Sequence, residues 1–232
     1  MIEIIYSPKW FYGRDLWMDI ISVLVLLLIS FFAIQYYRLG RNKNYLCLSL
    51  SFLFLSLSFI GKILMSFAIY NQIIDTRNYG FATITFEKLV SSDNLFFVGF
   101  LGYRLLTLFG LYILYSVYNR QTKGSIFLIS YLIFALTLFT HTSYYMFQIT
   151  ALILLSLVTL HYFRNYYRTR LPASKFLAAS FFVITISQVG FVFIKVDELF
   201  YPVSEIIQLI GYMLLLLTFI MVLRYGKKKN KD

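Results

Sequence analysis

Charge is scarce in this 232-residue chain: Asp, Glu, Lys and Arg make up 13% of it, about half the share of an ordinary soluble domain. With 60% of residues hydrophobic, the sequence has too little polar surface to cover a globule in water. A single cysteine, Cys47, excludes an internal disulfide and a cysteine-based metal cluster within one chain. The two histidines, His141 and His161, fall at opposite membrane faces of the spans derived below. One chain therefore cannot ligate a haem through both or build a histidine metal site, and neither metal nor cofactor is expected. A nucleotide loop, a paired-aspartate phosphotransferase signature and a membrane-protease dyad are all missing, and Ser125 beside Gly124 has no base, so an enzyme is not expected. No repeat period, low-complexity tract or glycine-rich linker divides the chain.

What is there instead is a series of apolar runs of 16 to 25 residues along the whole length, which makes lipid the solvent and one membrane domain the whole chain. Residues 1–15 have no basic n-region or small-residue cleavage site, so the first run reads as a retained helix. Tyr6, Trp10, Phe11 and Tyr12 make this segment an interfacial arm. The spans are predicted at 16–37, 45–69, 95–118, 125–140, 144–161, 174–194 and 204–225, followed by a basic tail at 226–232. The division at 140–144 is forced. Residues 125–161 as one helix would reach about 55 Å, past a hydrocarbon core of about 30 Å, and Thr140, His141, Thr142 and Ser143 are the polar cluster where the chain can turn. Pro172 and Pro202 stand just before two of the spans, where proline is tolerated. The loop at 71–94 fits either a short strand pair or a surface helix.

Charge placement tests this division. Segments 38–44, 119–124, 162–175 and 224–232 carry 3, 2, 4 and 5 basic residues and one acid, whereas 1–15, 71–94 and 195–203 together carry 5 basic and 7 acidic. The four basic segments share one face only if two helices lie between Lys123 and Arg164. The positive-inside rule then puts the N-terminus outside and the C-terminus in the cytoplasm. The expected fold is all-α, a polytopic membrane protein of seven transmembrane helices, and the net charge of +11 reports topology and anionic lipid headgroups at the cytoplasmic loops and tail, not nucleic acid.

Four charges remain inside the spans: Asp19, Lys62, Arg104 and Glu205. Arg104, about 14 Å along its helix from Leu95, is the deepest, and a central arginine opposes insertion by about 2.5 to 3.5 kcal/mol. With Gln148, Gln188 and Gln208 these groups all fall in the outer half, as does His141, read as a turn residue. Helical spacing aligns them with Ser22 and Ser30, with Ser51, Ser58 and Ser66, and with Gly211 and Thr218. The stripes are predicted to point inward, with Lys62 and Arg104 paired to Asp19 and Glu205 in an undetermined order. Gly99 and Gly102 are expected to permit close helix approach near Arg104. Buried ion pairs and glutamine contacts also hold helices in register without any ligand, so the cluster has a purely structural reading as well.

A microbial rhodopsin would carry its retinal lysine within the seventh helix, and 204–225 contains none. The stretches FYGRDLWMDIISVLVLLLISFFAIQYYRL, SLSFLFLSLSFIGKIL, FFVGFLGYRLLTLFGLYILY and EIIQLIGYMLLLLTF resemble uncharacterised seven-helix membrane proteins of archaea in style and order. That resemblance implies an archaeal cytoplasmic membrane and no particular activity. The expected function is a receptor-like protein or membrane subunit whose polar pocket binds a small ligand or a partner segment. A transporter or channel for a small polar solute or ion, and a purely structural subunit of a membrane assembly, are the alternatives.

Overall fold

The computed structural model describes residues 8–11, 13–74, 90–117, 123–139 and 144–229. These form seven α-helices: α1 (Arg14–Gly40), α2 (Lys43–Ile74), α3 (Val90–Ser116), α4 (Lys123–Phe139), α5 (Tyr144–Thr169), α6 (Pro172–Val192) and α7 (Phe200–Lys229). Six contain apolar stretches of 21 to 26 residues, enough at about 1.5 Å per residue to cross a hydrocarbon core, and α4 supplies a shorter one, Gly124–Thr137. Every element among the described residues is thus helical, and the protein is a multi-pass membrane protein.

Each predicted span coincides with a helix, but most helices run further at their ends. α1 opens at Arg14 because Gly13, at φ +84°, turns the chain and Asp15 Oδ1 accepts the N–H groups of Gly13 (3.0 Å) and Leu16 (2.9 Å), serving donors the helix leaves open. It closes at Arg41, φ +47°, whose N–H bonds Tyr37 O. α7 begins four residues before Ser204, so Pro202 sits inside its first turn instead of ahead of it, at a position whose N–H has no intrahelical acceptor anyway. α7 also continues through the basic tail to Lys229. α2 and α3 take up residues on either side of the expected 71–94 loop. The remainder, 75–89, lies outside the described residues, as do His141 and the turn at 140–143.

Helix α1 lies against both α2 and α7; α2 packs on α3, α3 on α5, α5 on α6 and α6 on α7, while α4 meets α3 and α5 from the side. Behind α1, the rings of α2 and α7 meet at Phe52–Phe219 and Phe59–Tyr212. The half of the bundle where α1 ends is sealed by aliphatic side chains, with Leu26, Ile29, Leu114 and Leu215 wholly buried. There, small hydroxyls reach across to backbone. Ser30 and Ser49 exchange hydroxyl-to-carbonyl bonds between α1 and α2 (2.9 and 3.0 Å), and Ser51 donates to Gly110 O on α3 (2.7 Å). Each such bond contributes on the order of 0.6 kcal/mol in a membrane, and the short side chain lets backbones approach.

Two crossings are tighter still. A Cβ on Gly61 would stand 2.9 Å from Tyr103 N, and one on Gly99 2.7 Å from Gly61 O, so α2 and α3 touch backbone to backbone. Gly211 similarly admits the Ile184 backbone of α6, where an added Cβ would come 3.2 Å from its N. Gly102, by contrast, faces open space and has no part in close approach.

Candidate polar centre at one end of the bundle

The Gly61–Gly99 crossing fixes α2 against α3 one residue from Lys62, and α1 and α7 close over the lysine from the other side. Asp19 and Glu205 each stand five residues into their helices, about 8 Å along the axis. That shared depth brings both carboxylates to one ammonium. Lys62 Nζ donates to Asp19 Oδ1 at 2.8 Å and to Glu205 Oε1, and it lies 5.6 Å and 5.8 Å from the ring centroids of Phe59 and Tyr201. The three side chains are buried, Asp19 at 1%, Glu205 at 3% and Lys62 at 7% exposure. Sequence reasoning expected Arg104 to share these carboxylates. Among the described residues no ion pair joins it to either one; its guanidinium stacks on Phe100 (4.0 Å) of its own helix and faces Phe147 (5.3 Å) of α5.

Two consequences follow from this pairing. With both carboxylates ionised, the triad carries one unit of unbalanced negative charge. Moreover, Asp19 Oδ2 is buried without a hydrogen-bond partner among the described residues. An unserved carboxylate oxygen in a low-dielectric interior is costly, so it marks a place where a donor or a proton is wanted.

Phe11, expected in an interfacial arm, turns inward, whereas Tyr6 and Tyr12 of that arm lie outside the described residues. Phe11 is 3% exposed and packs edge-on against Tyr201 at 6.3 Å, and Tyr201 also meets Phe191 of α6 at 6.1 Å. The short 3-10 turn Lys9–Phe11 thus roofs the triad from the end where α1 begins, while Trp10 stays exposed. Its driving force is simple: burying a phenylalanine is worth roughly 1.5 to 3 kcal/mol.

The remaining predicted residues form the far wall. Gln188 donates to Gln148, joining α6 to α5, and both are buried. Tyr144 Oη donates to Phe191 O at 3.2 Å, and Gln208, half-buried, donates to Tyr212 Oη at 3.1 Å. Tyr103 and Tyr144 stand within electrostatic reach of both Lys62 and Arg104, which makes the triad, the arginine and the glutamine pair one polar band. The stripe residues Ser22, Ser30, Ser51, Ser58, Ser66 and Thr218 are all buried and so face inward. Sequence reasoning missed Tyr103, Tyr201 and Tyr212. Tyr201–Glu205 and Gln208–Tyr212 share an i, i+4 relation that could have found two of them.

Among the described residues no three His, Cys, Asp or Glu side chains stand together as a metal site. Comparison with protein-family models, with curated proteins and with solved structures gives no match.

Proposed function

We propose that this is a non-enzymatic, receptor-like protein or membrane subunit of a cytoplasmic membrane, archaeal by resemblance, that binds a small ligand or a partner segment at its polar centre. The observation that carries the reading is Asp19, which three-helix packing buries beside Lys62 while leaving Oδ2 without a partner. A bundle needing only a structural ion pair has no use for a second carboxylate on the same lysine. The orientation follows from the basic segments: the polar centre lies on the outer side, the N-terminus is outside, and the basic loops meet anionic lipid in the cytoplasm.

The test is to purify the full chain from its native membrane and analyse what accompanies it. A small molecule or a protein at fixed stoichiometry, retained by the native chain and lost in Asp19→Asn, supports the reading. A chain that carries nothing, and whose melting temperature no polar solute or peptide raises, overturns it. The second reading, a transporter, is favoured by the buried Tyr36 and Tyr112 hydroxyls, which lack partners among the described residues near the other end of the bundle. Solute flux in proteoliposomes that is abolished by Lys62→Ala and by Tyr112→Phe would support it over binding alone.

A further inference from the structure

We propose that the Asp19–Lys62–Glu205 triad is a proton-binding site that holds one exchangeable proton, seated on the second oxygen of Asp19. This rests on the reading of the polar centre as a binding site and names a ligand for it. Two carboxylates share the ammonium of Lys62, and one negative charge is left over. The groups that face Asp19 do not cancel it. They are Asp15 on α1, Lys62 on α2, and Glu205 on α7; around Lys62 stand the phenols Tyr201 and Tyr103, and Lys62 is the cation of the set. Arg104 is held on Phe100 and Phe147.

Space decides what the compensating charge is. Asp19 and Glu205 are 1% and 3% exposed beneath the Phe11–Tyr201 roof, and an alkali ion needs several oxygen ligands, whereas among the described residues Asp19 Oδ2 is the one buried side-chain oxygen of the triad without a hydrogen-bond partner. A proton needs no room. It arrives from water, bonds to Oδ2 and converts the triad to a neutral carboxylic acid beside a Lys62–Glu205 ion pair; release is the reverse. A buried neutral hydroxyl costs far less than a buried uncompensated charge.

The experiment is infrared difference spectroscopy of the full chain in lipid nanodiscs, titrated with pH. At neutral pH one carbonyl band of a protonated buried carboxyl is expected, disappearing as pH is raised. Asp19→Asn and Glu205→Gln each leave one carboxylate for one ammonium, so each is expected to lose that band at neutral pH. Lys62→Met is expected to strengthen it, since both carboxylates then need protons. If the variants do not fold, the native chain alone decides: a hydrophobic carbodiimide, which reacts with protonated buried carboxyls, is expected to label Asp19, less so at alkaline pH. Absence of the band together with absence of labelling overturns the proposal. So does a band that survives in both Asp19→Asn and Glu205→Gln, or one that sodium abolishes at constant pH. A chain that holds the proton but retains no solute or partner refutes the ligand-binding reading instead and leaves the proton site standing.

Discussion

At a pH alkaline enough for both carboxylates of the triad to be ionised, removing its three charges one at a time is expected to produce unequal losses of stability, and the inequality follows from the geometry. Lys62 Nζ and Asp19 Oδ1 are 2.8 Å apart. With an effective dielectric of about 20, that attraction is roughly 6 kcal/mol, and the Glu205 contact is of the same order. The two carboxylates touch a common nitrogen, so their nearest oxygens are at most about 6 Å apart and repel by roughly 3 kcal/mol. Asp19→Asn gives up one attraction but also removes the repulsion and the desolvation cost of a buried carboxylate, several kcal/mol per ion, and the change should stay within about 2 kcal/mol. Glu205→Gln behaves alike. Lys62→Met loses both attractions and leaves two carboxylates facing each other, a loss of about 3 to 5 kcal/mol after protonation limits it. Replacing all three by apolar residues of similar volume should restore native stability or exceed it by about 1 to 4 kcal/mol. Equilibrium unfolding of the full chain in mixed detergent micelles, followed by helical circular dichroism, measures the series. Equal losses for Asp19→Asn and Lys62→Met would refute the triad as the unit of charge balance.

The glycines separate in a second series. Gly61→Ala and Gly99→Ala drive a methyl into facing backbone and should each cost about 1 to 3 kcal/mol in the same unfolding assay, whereas Gly102→Ala, facing open space, should be neutral or slightly stabilising. Gln188→Leu takes the amide donor away from buried Gln148 Oε1 and should cost about 1 to 3 kcal/mol, and Gln148→Leu/Gln188→Leu should cost less than the sum of its parts, which a double-mutant cycle reads directly. Phe11→Ala opens the roof over Tyr201 and should accelerate hydrogen exchange in the first turns of α1 and α7 while leaving the Ser30–Ser49 region unchanged. A fluorescent protein fused after residue 232 should fluoresce in the cytoplasm, and a periplasmic-type reporter there should stay inactive.

The helices were legible because lipid imposes a length and because Pro172 and Pro202 mark helix starts by their own chemistry. The inward stripes were legible as well, since steps of three and four residues fix which side chains share a face. Partner choice was not. Arg104 and Lys62 are alike as sequence, and what separates them is that Phe100 stands four residues before Arg104, one turn away, while Gly61 lets α3 and Tyr103 in beside Lys62. The role of Phe11 was hidden for a related reason. Aromatic residues beside a span read as a headgroup belt, and only the position of Tyr201 on a helix nearly two hundred residues away turns one of them inward.

The two halves of the bundle are held by different forces, and this bears on which half can move. Where α1 ends, hydroxyl-to-carbonyl bonds and wholly buried leucines join α1, α2 and α3, and none of these contacts changes with protonation or with a ligand. Where α1 begins, the ion pairs described between α1, α2 and α7 converge on one lysine, so their strength depends on how many charges the two carboxylates carry. Take away the proton that balances the triad, and Asp19 and Glu205 repel across Lys62. The helices that can yield are α1 and α7, because α2 is locked to α3 at Gly61 and Gly99. Opening would therefore start under Phe11 and Tyr201, with the serine clasp as its hinge. A spin-label pair on α1 and α7 near the roof should separate as pH is raised, while a pair on α1 and α2 beside Ser30 and Ser49 should keep its distance. Equal movement of both pairs would mean that the triad is not the latch.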